Sequence, residues 1–330
     1  MPRELDEDDV RVRPGRGKSR PRTKDRPGHE SAAAAFVTQV DRGRYTCVLD
    51  DRAGTEVTAM RARELGRKGV AVGDRVALVG DVGGGDDALA RIVRLEPRST
   101  VLRRTADDDD PVERVLVANA DQLVVVTATV DPEPRAGLID RCLVAAYDAG
   151  LEPLLCITKT DLKPPDELLA AYGALGVRWV AVSRGEGVGT VAEHLVDRVS
   201  VLVGHSGVGK STLVNALVPG TGRATGVVNA VTGRGRHTSS SAVALPLPDG
   251  AGWVVDTPGV RSFGLAHVDP SRVVTAFPDL AGGIEQCPRG CTHDEPECAL
   301  DQWVAEGHAT PERLESLRRL LAARTAADAY

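Results

Sequence analysis

Aromatic residues are scarce in this chain of 330 residues, because Phe, Trp and Tyr together make up only 3% of it. The hydrophobic content of 42% still supports a globular core, which Val, Leu and Ala must therefore build. Long apolar runs are missing too, and a stretch such as 123–130 is far too short to span a bilayer. The first residues are charged and include no apolar segment typical of a secretory signal. We therefore expect a cytoplasmic protein.

Cysteines are also few, and their positions do not form the pattern of a disulfide framework. Three of the six stand singly within apolar segments, where a buried structural thiol is the expected role. These three are Cys47, Cys142 and Cys156. The other three lie close together near the C-terminus, beside a histidine, which is typical of a metal site.

The formal net charge of −6 is unevenly distributed along the chain. Residues 10–28 contain eight basic residues and one acidic residue, a local charge of +7, so the rest of the chain carries −13. Because residues 1–34 contain almost no large apolar side chains, we expect them to form a disordered basic arm. Such an arm on an acidic body suggests a polyanionic partner, whereas a merely solvated tail is the alternative.

Residues 35–97 alternate short apolar segments with turn residues, which predicts a small β-barrel, and the oligonucleotide-binding (OB) barrel is one candidate. Its strands are predicted at Phe36–Val40, Tyr45–Leu49, Glu56–Ala62, Arg75–Val79 and Leu89–Leu95. Many arginines and few aromatics favour contacts with phosphates or structured RNA over stacking on unpaired bases. A barrel that docks onto a protein is the alternative.

A linker is predicted at 98–114, and beyond it strands alternate with helices, as in a parallel sheet with covered faces. Strands are predicted at Leu123–Val126, Leu154–Ile157 and Trp179–Val182. Helices are predicted at Leu138–Ala149, Asp166–Ala174 and Val188–Val196. We assign 115–266 to this α/β domain.

The eight residues from Gly204 to Ser211 fit the phosphate-binding pattern G-x-x-x-x-G-K-[ST]. An apolar run at 199–203 precedes them and a helical start at 212–217 follows, which is the context that this pattern requires. Lys210 would neutralise the β- and γ-phosphates, and the Ser211 hydroxyl would ligate Mg²⁺. The residues expected to bind nucleotide here are Gly204, His205, Ser206, Gly207, Val208, Gly209, Lys210, Ser211 and Thr212.

A base-reading motif is suggested after the second predicted strand, where Thr158-Lys159-Thr160-Asp161 resembles N-K-x-D. The Asp161 carboxylate can accept hydrogen bonds from guanine N1–H and N2–H₂, whereas adenine would leave it unpaired. The Lys159 stem would pack on the base plane. A turn that caps a helix is the alternative. Ser183, after the third strand, is expected near the guanine carbonyl.

Two further segments would sense the γ-phosphate. Residues 219–238 follow the P-loop helix and are rich in Gly, Thr and Arg, so we expect a switch in which Thr238 or the adjacent Ser239 completes the Mg²⁺ coordination. A plain surface loop is the alternative. Asp256-Thr-Pro-Gly259 matches D-x-x-G, in which Asp256 would hold the Mg²⁺ shell and the Gly259 N–H would meet the γ-phosphate.

The order of these motifs is unusual, because the base-reading loop precedes the phosphate loops and most GTPases have the reverse order. A permuted chain can build the same site, since termini and connections lie at the surface. With the barrel, the segments 235–238 and 256–259 and the C-terminal Cys/His cluster, this order resembles the RsgA/YjeQ family of small-ribosomal-subunit biogenesis GTPases. The resemblance covers residues 35–320.

This resemblance implies a multidomain α/β protein with an OB-like β-barrel, a circularly permuted P-loop GTPase domain and a C-terminal zinc-binding helical domain at 267–330. It implies binding to the small ribosomal subunit and its rRNA, and hydrolysis of GTP to GDP and phosphate, stimulated by that subunit during its late maturation. We expect a monomer. Val260 stands where many GTPases have a water-orienting Gln, so the family implies that His237 positions the water, with Lys210 also catalytic. Thr158 replaces the usual Asn, an amide able to bridge the base and the P-loop.

The cluster near the C-terminus suits one tetrahedral Zn²⁺ ion per chain, held by three thiols and one imidazole within twelve residues. Its expected ligands are Cys287, Cys291, His293 and Cys298. An intracellular disulfide is the alternative, and it would leave one thiol unpaired. A C-terminal helix is predicted at Pro311–Ala323.

Two other classes of function fit parts of the sequence. A metabolic P-loop kinase would need neither a base-reading Asp161 nor a basic barrel. A non-catalytic RNA-binding scaffold would hold GDP without turnover, so GTP hydrolysis with and without ribosomal subunits distinguishes it from the main interpretation.

Overall fold

The computed structural model describes residues 29, 31–52, 54–65, 69–85, 88–104, 114–220, 242–257, 265 and 268–325. Of the predicted arm, only residues 29 and 31–34 are among them. The described chain beyond position 30 forms one compact unit. None of its described helices is long and apolar enough to cross a membrane.

The described strands are β1 (Ala33–Asp41), β2 (Arg44–Leu49), β3 (Glu56–Arg61), β4 (Arg75–Gly80), β5 (Ala90–Leu95), β6 (Val101–Arg104), β7 (Arg114–Ala118), β8 (Gln122–Ala128), β9 (Glu152–Thr158), β10 (Arg178–Val182), β11 (Arg198–Val203), β12 (Val243–Pro246) and β13 (Gly252–Asp256). The described helices are α1 (Ala136–Ala149), α2 (Asp166–Tyr172), α3 (Val188–Leu195), α4 (Lys210–Leu217), α5 (Pro270–Val274), α6 (Ala281–Ile284), α7 (Ala299–Ala305) and α8 (Pro311–Thr325).

The first five strands close into a barrel. β1 pairs antiparallel with β2 and β4, β2 pairs antiparallel with β3, and β5 joins β3 to β4. Their alternating sequence explains the closure, because every second side chain faces inward. In β2, for example, Tyr45, Cys47 and Leu49 are buried, and they pack with Val57 and Ile92 of the neighbouring strands. The predicted OB-like barrel is confirmed.

Five parallel strands form a second region of sheet, in the order β10-β9-β8-β11-β13. Alternate residues of these strands face two different cores. Val124 and Leu154 belong to the core that contains residues of α3 and α4, whereas Val125 and Leu155 belong to the core of α1, α2 and the C-terminal helices. Because the strands are parallel, the loops that follow them meet at one edge of the sheet.

The barrel and the parallel strands share one sheet of eleven strands among the described residues. The strand that joins them is β12, which pairs antiparallel with β13 and meets β1 where Val243 faces Gln39. The rings of Phe36 and Trp253 lie 4.7 Å apart at this junction. The four residues of β12 are too few to show a period, so the sequence did not predict this strand.

The predicted linker at 98–114 is structured at both ends. β6 and β7 pair as antiparallel strands in which Leu102 is buried, while 105–113 lies outside the described residues. Just before β6, the Arg98 guanidinium contacts both carboxylate oxygens of the buried Asp74, at 2.7 and 2.8 Å. This ion pair fastens the barrel to the start of the hairpin.

The C-terminal helices cover α1. Phe277, Leu300 and Leu317 are buried in the same core as Leu143 of α1. At the start of α8, Arg313 donates hydrogen bonds to the carbonyl oxygens of Leu175, at 2.5 Å, and of Ala276, at 3.2 Å. The C-terminal segment is therefore packed directly on the α/β domain.

Candidate nucleotide site and metal cluster

The P-loop lies between β11 and α4, as its sequence predicted. Gly207 and Gly209 have φ values of +87° and +91°, which favour glycine. Gly204 comes so close to β8 that a Cβ atom would lie 2.5 Å from the carbonyl oxygen of Val126. These glycines allow the loop to turn tightly over the edge of the sheet, where its N–H groups can surround an anion.

Two of the predicted phosphate-site residues lie together beside this loop. Lys210, at the start of α4, contacts the Asp256 carboxylate at the end of β13 and the carbonyl oxygen of Thr257, the latter at 3.2 Å. Their side chains are only 12% and 4% exposed. Because β11 and β13 are adjacent and parallel, the P-loop lysine and the D-x-x-G carboxylate meet despite being 46 residues apart.

The loop that carries the T-K-x-D motif also adjoins the P-loop. Thr158 ends β9, and its hydroxyl donates a hydrogen bond to the carbonyl oxygen of Val208 at 2.6 Å. The side chain is buried, with the carbonyl oxygen of Thr127 at 3.1 Å. The replacement of Asn by Thr therefore keeps a direct link to the P-loop, made by a hydroxyl.

The rest of the T-K-x-D motif forms a turn above the sheet. Lys159 has a φ of 59°, and its carbonyl oxygen accepts a hydrogen bond from the Thr129 hydroxyl at 2.9 Å. Its ammonium group contacts the carbonyl oxygen of Asp131. Asp161 is exposed to solvent. A carboxylate in this position is accessible to a ligand, and Thr129 fixes the turn that presents it.

The third loop of this edge follows β10. Ser183 and Glu186 exchange backbone hydrogen bonds of 3.1 and 3.4 Å, forming a tight turn. The Thr160 N–H lies 3.4 Å from the carbonyl oxygen of Val182, so this turn is next to the T-K-x-D loop. Ser183 is thus close to the T-K-x-D motif, as expected from strand order.

Some of the other predicted site residues are described by the structure, and some are not. Ser206 and Thr212 are exposed, Ser211 is half-buried, and Nδ1 of His205 lies 2.8 Å from the carbonyl oxygen of Ser206. His237, Thr238 and Gly259 lie outside the described residues.

The four predicted zinc ligands form one cluster, in which one ligand atom from each residue lies within 4.8 Å of the others. Cys287 Sγ is 3.7 Å from Cys298 Sγ and 3.6 Å from His293 Nδ1, and Cys298 Sγ is 3.9 Å from that nitrogen. A tetrahedral zinc ion with bonds of about 2.3 Å to sulfur requires sulfur–sulfur distances of about 3.8 Å. The residues present therefore fit such an ion.

The loop around this cluster is held by Glu295. Its carboxylate accepts hydrogen bonds from the backbone N–H of Thr292 at 2.9 Å and lies 3.2 Å from Cys291 Sγ. These contacts, led by the Thr292 N–H, lower the pKa of Glu295 to about 2. Burial lowers the pKa of His293, which favours the neutral imidazole that metals bind.

Similarity to known proteins identifies the family of the chain. The family model for the RsgA GTPase matches residues 95–266, just over half of the chain. The chain belongs to the RsgA GTPase family. A small ribosomal subunit biogenesis GTPase RsgA of Pseudomonas savastanoi pv. phaseolicola is 41% identical over 248 residues, which cover 72% of this chain and 71% of that relative. The RsgA of Pseudomonas aeruginosa PAO1 is also 41% identical, with 72% of each chain covered.

Solved structures show the same permuted fold. YjeQ from Thermotoga maritima matches with a TM-score of 0.65 and 27% identity, over 88% of this chain and 98% of that one. YloQ, a circularly permuted GTPase, matches with a TM-score of 0.64 and 22% identity, over 91% of this chain and 98% of that one. The circularly permuted GTPase fold expected from the motif order is thus confirmed.

Two residues in these family sites were not found from the sequence. Thr129 supports the T-K-x-D turn, but it belongs to no motif, and its position after a buried strand was the only available signal. Arg318 contacts the carbonyl oxygen of His293 from α8, at 2.7 Å. Nothing in the local sequence distinguishes it from the other arginines of that helix.

Proposed function

We propose that this protein binds the small ribosomal subunit during its late maturation and hydrolyses GTP to GDP and phosphate there. The observation that carries the proposal is the meeting of three motifs at one sheet edge. Thr158 joins the base-reading loop to the P-loop, and Lys210 joins the P-loop to Asp256. The names of the curated relatives supply the ribosomal partner.

Guanine would be selected by Asp161, whose exposed carboxylate can accept hydrogen bonds from N1–H and N2–H₂. The Lys159 stem would cover the base, with Thr160 and Ser183 beside it. The phosphates would lie along the P-loop, from Gly204 to Thr212, and at the N-terminus of α4. Gly259 would complete the γ-phosphate contacts.

In the hydrolysis step, Lys210 would turn from Asp256 towards the β- and γ-phosphates and stabilise the charge that develops there. His237 would orient the attacking water. Oxygen ligands suit Mg²⁺, and Ser211, Thr238 and Asp256 would hold it, where it supplies charge neutralisation on the phosphates. Unassisted turnover is expected to be slow, because Val260 stands where many GTPases have a water-orienting Gln.

The barrel would contact rRNA through its outer face. Arg44 faces Met60, and Met60 faces Arg91, in neighbouring strands. All three residues are exposed, so two guanidinium groups flank an apolar side chain on one surface. This arrangement suits phosphates of a folded RNA. The zinc ion of the C-terminal cluster would be structural, because all four positions are occupied by protein ligands.

The proposal is tested by GTPase assays of the full chain alone, with purified small subunits and with large subunits. We expect stimulation by the small subunit only. The protein would act as a monomer in the cytoplasm. Equal turnover in all three reactions would contradict the ribosomal role. GDP binding without turnover in any of them would favour a scaffold, and phosphate transfer to a small molecule would favour a kinase.

The contribution of the barrel is measured separately, by binding to small subunits at several salt concentrations. Arg44→Glu and Arg91→Glu should weaken binding and lower its dependence on salt. Arg272→Glu makes the same charge change on α5, at a side chain that is 61% exposed and paired with Asp148. It serves as the control once thermal unfolding shows that loss of this pair leaves the chain folded. Equal weakening by all three variants would mean that net charge, rather than this face, governs binding.

A further inference from the structure

His293 has an unusual backbone conformation within the metal cluster. Its φ is 70°, in the left-handed region that side chains other than glycine rarely adopt. Its N–H donates to Cys291 Sγ at 3.3 Å, while Nδ1 faces the sulfurs of Cys287 and Cys298. This conformation turns the imidazole towards the thiols, and contacts from outside the loop would offset its cost.

Arg318 of α8 contacts both ligand-bearing segments at once. Its Nε donates a hydrogen bond to the carbonyl oxygen of His293 at 2.7 Å. Its two terminal nitrogens contact the two carboxylate oxygens of Asp301, at 3.0 and 2.8 Å. Asp301 lies in the first turn of α7, which begins immediately after the ligand Cys298. One planar guanidinium group therefore sets the spacing between the His293 loop and the Cys298 helix.

We propose that Arg318 is a positioning residue for the metal cluster, which holds His293 and Cys298 in the arrangement that zinc requires. Outer groups that orient metal ligands commonly determine affinity, and here the oriented group is a backbone carbonyl. A loop that is already ordered reduces the conformational entropy that metal binding must overcome. The inference rests on the zinc site proposed above.

The neighbouring arginine of α8 has a different set of partners. Arg319 contacts Asp140 of α1 at 3.2 Å, lies 4.8 Å from the centre of the Tyr172 ring and donates to the carbonyl oxygen of Ala171. All of these partners belong to the α/β domain. Arg319 thus docks α8 on the α/β domain, whereas Arg318 contacts the cluster. Variants of the two arginines therefore distinguish docking of α8 from positioning of the ligands.

The test measures zinc retention in the zinc-loaded full chain, by release to an excess of chromogenic chelator. Arg318→Gln should weaken zinc binding about 10-fold or more. Arg318→Lys can still donate one hydrogen bond to His293 but cannot also form the two contacts with the Asp301 carboxylate. It should therefore restore part of the zinc affinity that Arg318→Gln loses. Arg319→Gln is the matched control and should retain zinc like the wild type. The visible spectrum of the Co²⁺-substituted chain should change with Arg318→Gln and not with Arg319→Gln.

Several outcomes would overturn the proposal. Wild-type retention by Arg318→Gln would show that this residue does not position the ligands. An equal loss in Arg319→Gln would show that α8 acts only by docking. If Arg318→Gln does not fold, Asp301→Asn loosens the same fork, and unchanged retention there would count against the proposal. A wild-type chain without zinc would overturn the metal site and this inference together, whereas zinc-loaded wild type with unaffected variants would overturn only the inference.

Discussion

The Thr158 hydroxyl lies 2.6 Å from the carbonyl oxygen of Val208, although the two residues are fifty positions apart in the chain. This hydrogen bond links the end of β9 to the P-loop between β11 and α4. The protein itself therefore ties the loop that would read the base to the loop that would hold the phosphates. Such preorganisation reduces the ordering cost of binding.

Thr158→Val removes this hydroxyl while keeping the shape of the side chain. We expect a loss of about 0.5–1.5 kcal/mol in the free energy of unfolding, as for other buried hydrogen bonds, together with weaker GDP binding. Thermal unfolding and titration with a fluorescent GDP analogue measure the two effects. Thr38→Val is the control, because it removes a hydroxyl bonded at 3.3 Å to Thr46 inside the barrel. Unchanged GDP affinity in Thr158→Val would contradict the proposed preorganisation.

The sequence was sufficient where local pattern determines structure. The barrel strands follow from alternation, and the P-loop from its glycines and lysine. The Thr158–Val208 hydrogen bond could not be predicted, because it depends on how β9 and β11 are placed in the sheet. The same holds for β12, whose pairing with β1 depends on tertiary contacts of Phe36 and Trp253 rather than on a local period.

The C-terminal segment shows the same division. Four soft ligands in twelve residues indicated the metal cluster, but the role of Arg318 depends on where α8 packs. Likewise, Leu102 lies in a short run between charged residues, so no sequence pattern indicated that the predicted linker contains a strand with a buried leucine. Short elements whose burial is decided by distant residues are therefore the part that sequence patterns miss.

Lys210→Met tests the pair at the centre of the phosphate site. The change should abolish tight GTP binding and lower the free energy of unfolding by about 1–3 kcal/mol, because the buried Asp256 carboxylate loses its cationic partner. Adding Asp256→Asn should restore most of the stability but none of the nucleotide binding. Denaturant unfolding and nucleotide titration separate the two effects. A double variant no more stable than Lys210→Met would show that the unpaired Asp256 carboxylate is not what destabilises the single variant.

Glu152 contributes to the free energy of unfolding in a way that depends on pH. Its carboxylate contacts Arg198, at 2.5 Å, and Arg178. These contacts lower the pKa of Glu152 below its ordinary value of 4.5, and the hydrogen bond from Arg198 is the largest cause. A lowered pKa stabilises the folded chain above that ordinary value, and this stability is lost as the pH falls through the folded-state pKa.

We therefore expect Glu152→Gln to reduce the free energy of unfolding at pH 7 by at most about 1 kcal/mol, since the pairs are half-exposed. The difference from wild type should shrink below pH 4.5, where the unfolded chain takes up the proton. Denaturant unfolding across this range measures it, and Arg198→Gln should show the same trend. If the difference in the free energy of unfolding grows as the pH falls, the pKa of Glu152 is raised rather than lowered in the folded chain.

Removal of the metal should unfold the C-terminal loop. Cys291→Ser, or prolonged chelation, is expected to lower the zinc content from one ion per chain and to make residues around the cluster sensitive to proteolysis. Metal analysis and mapping of cleavage sites measure both. Cys47→Ala changes a buried cysteine of the barrel and should keep its zinc. A Cys291→Ser chain with full zinc would remove that thiol from the ligand set.

Asp161 offers a test in which specificity should be exchanged rather than lost. Its carboxylate can accept both hydrogen bonds offered by guanine N1–H and N2–H₂. An Asn side chain can instead donate one hydrogen bond, which matches the C2 carbonyl that xanthine has in place of the guanine amine. Asp161→Asn should therefore weaken GTP binding and improve the binding of xanthosine triphosphate, while Asp161→Ala should weaken the preference for GTP over ATP. Competition titrations with the three nucleotides measure this, with Asp166→Asn on the exposed start of α2 as the control. If Asp161→Asn keeps the wild-type order of affinities, the base is read elsewhere, and the T-K-x-D turn is only a helix cap.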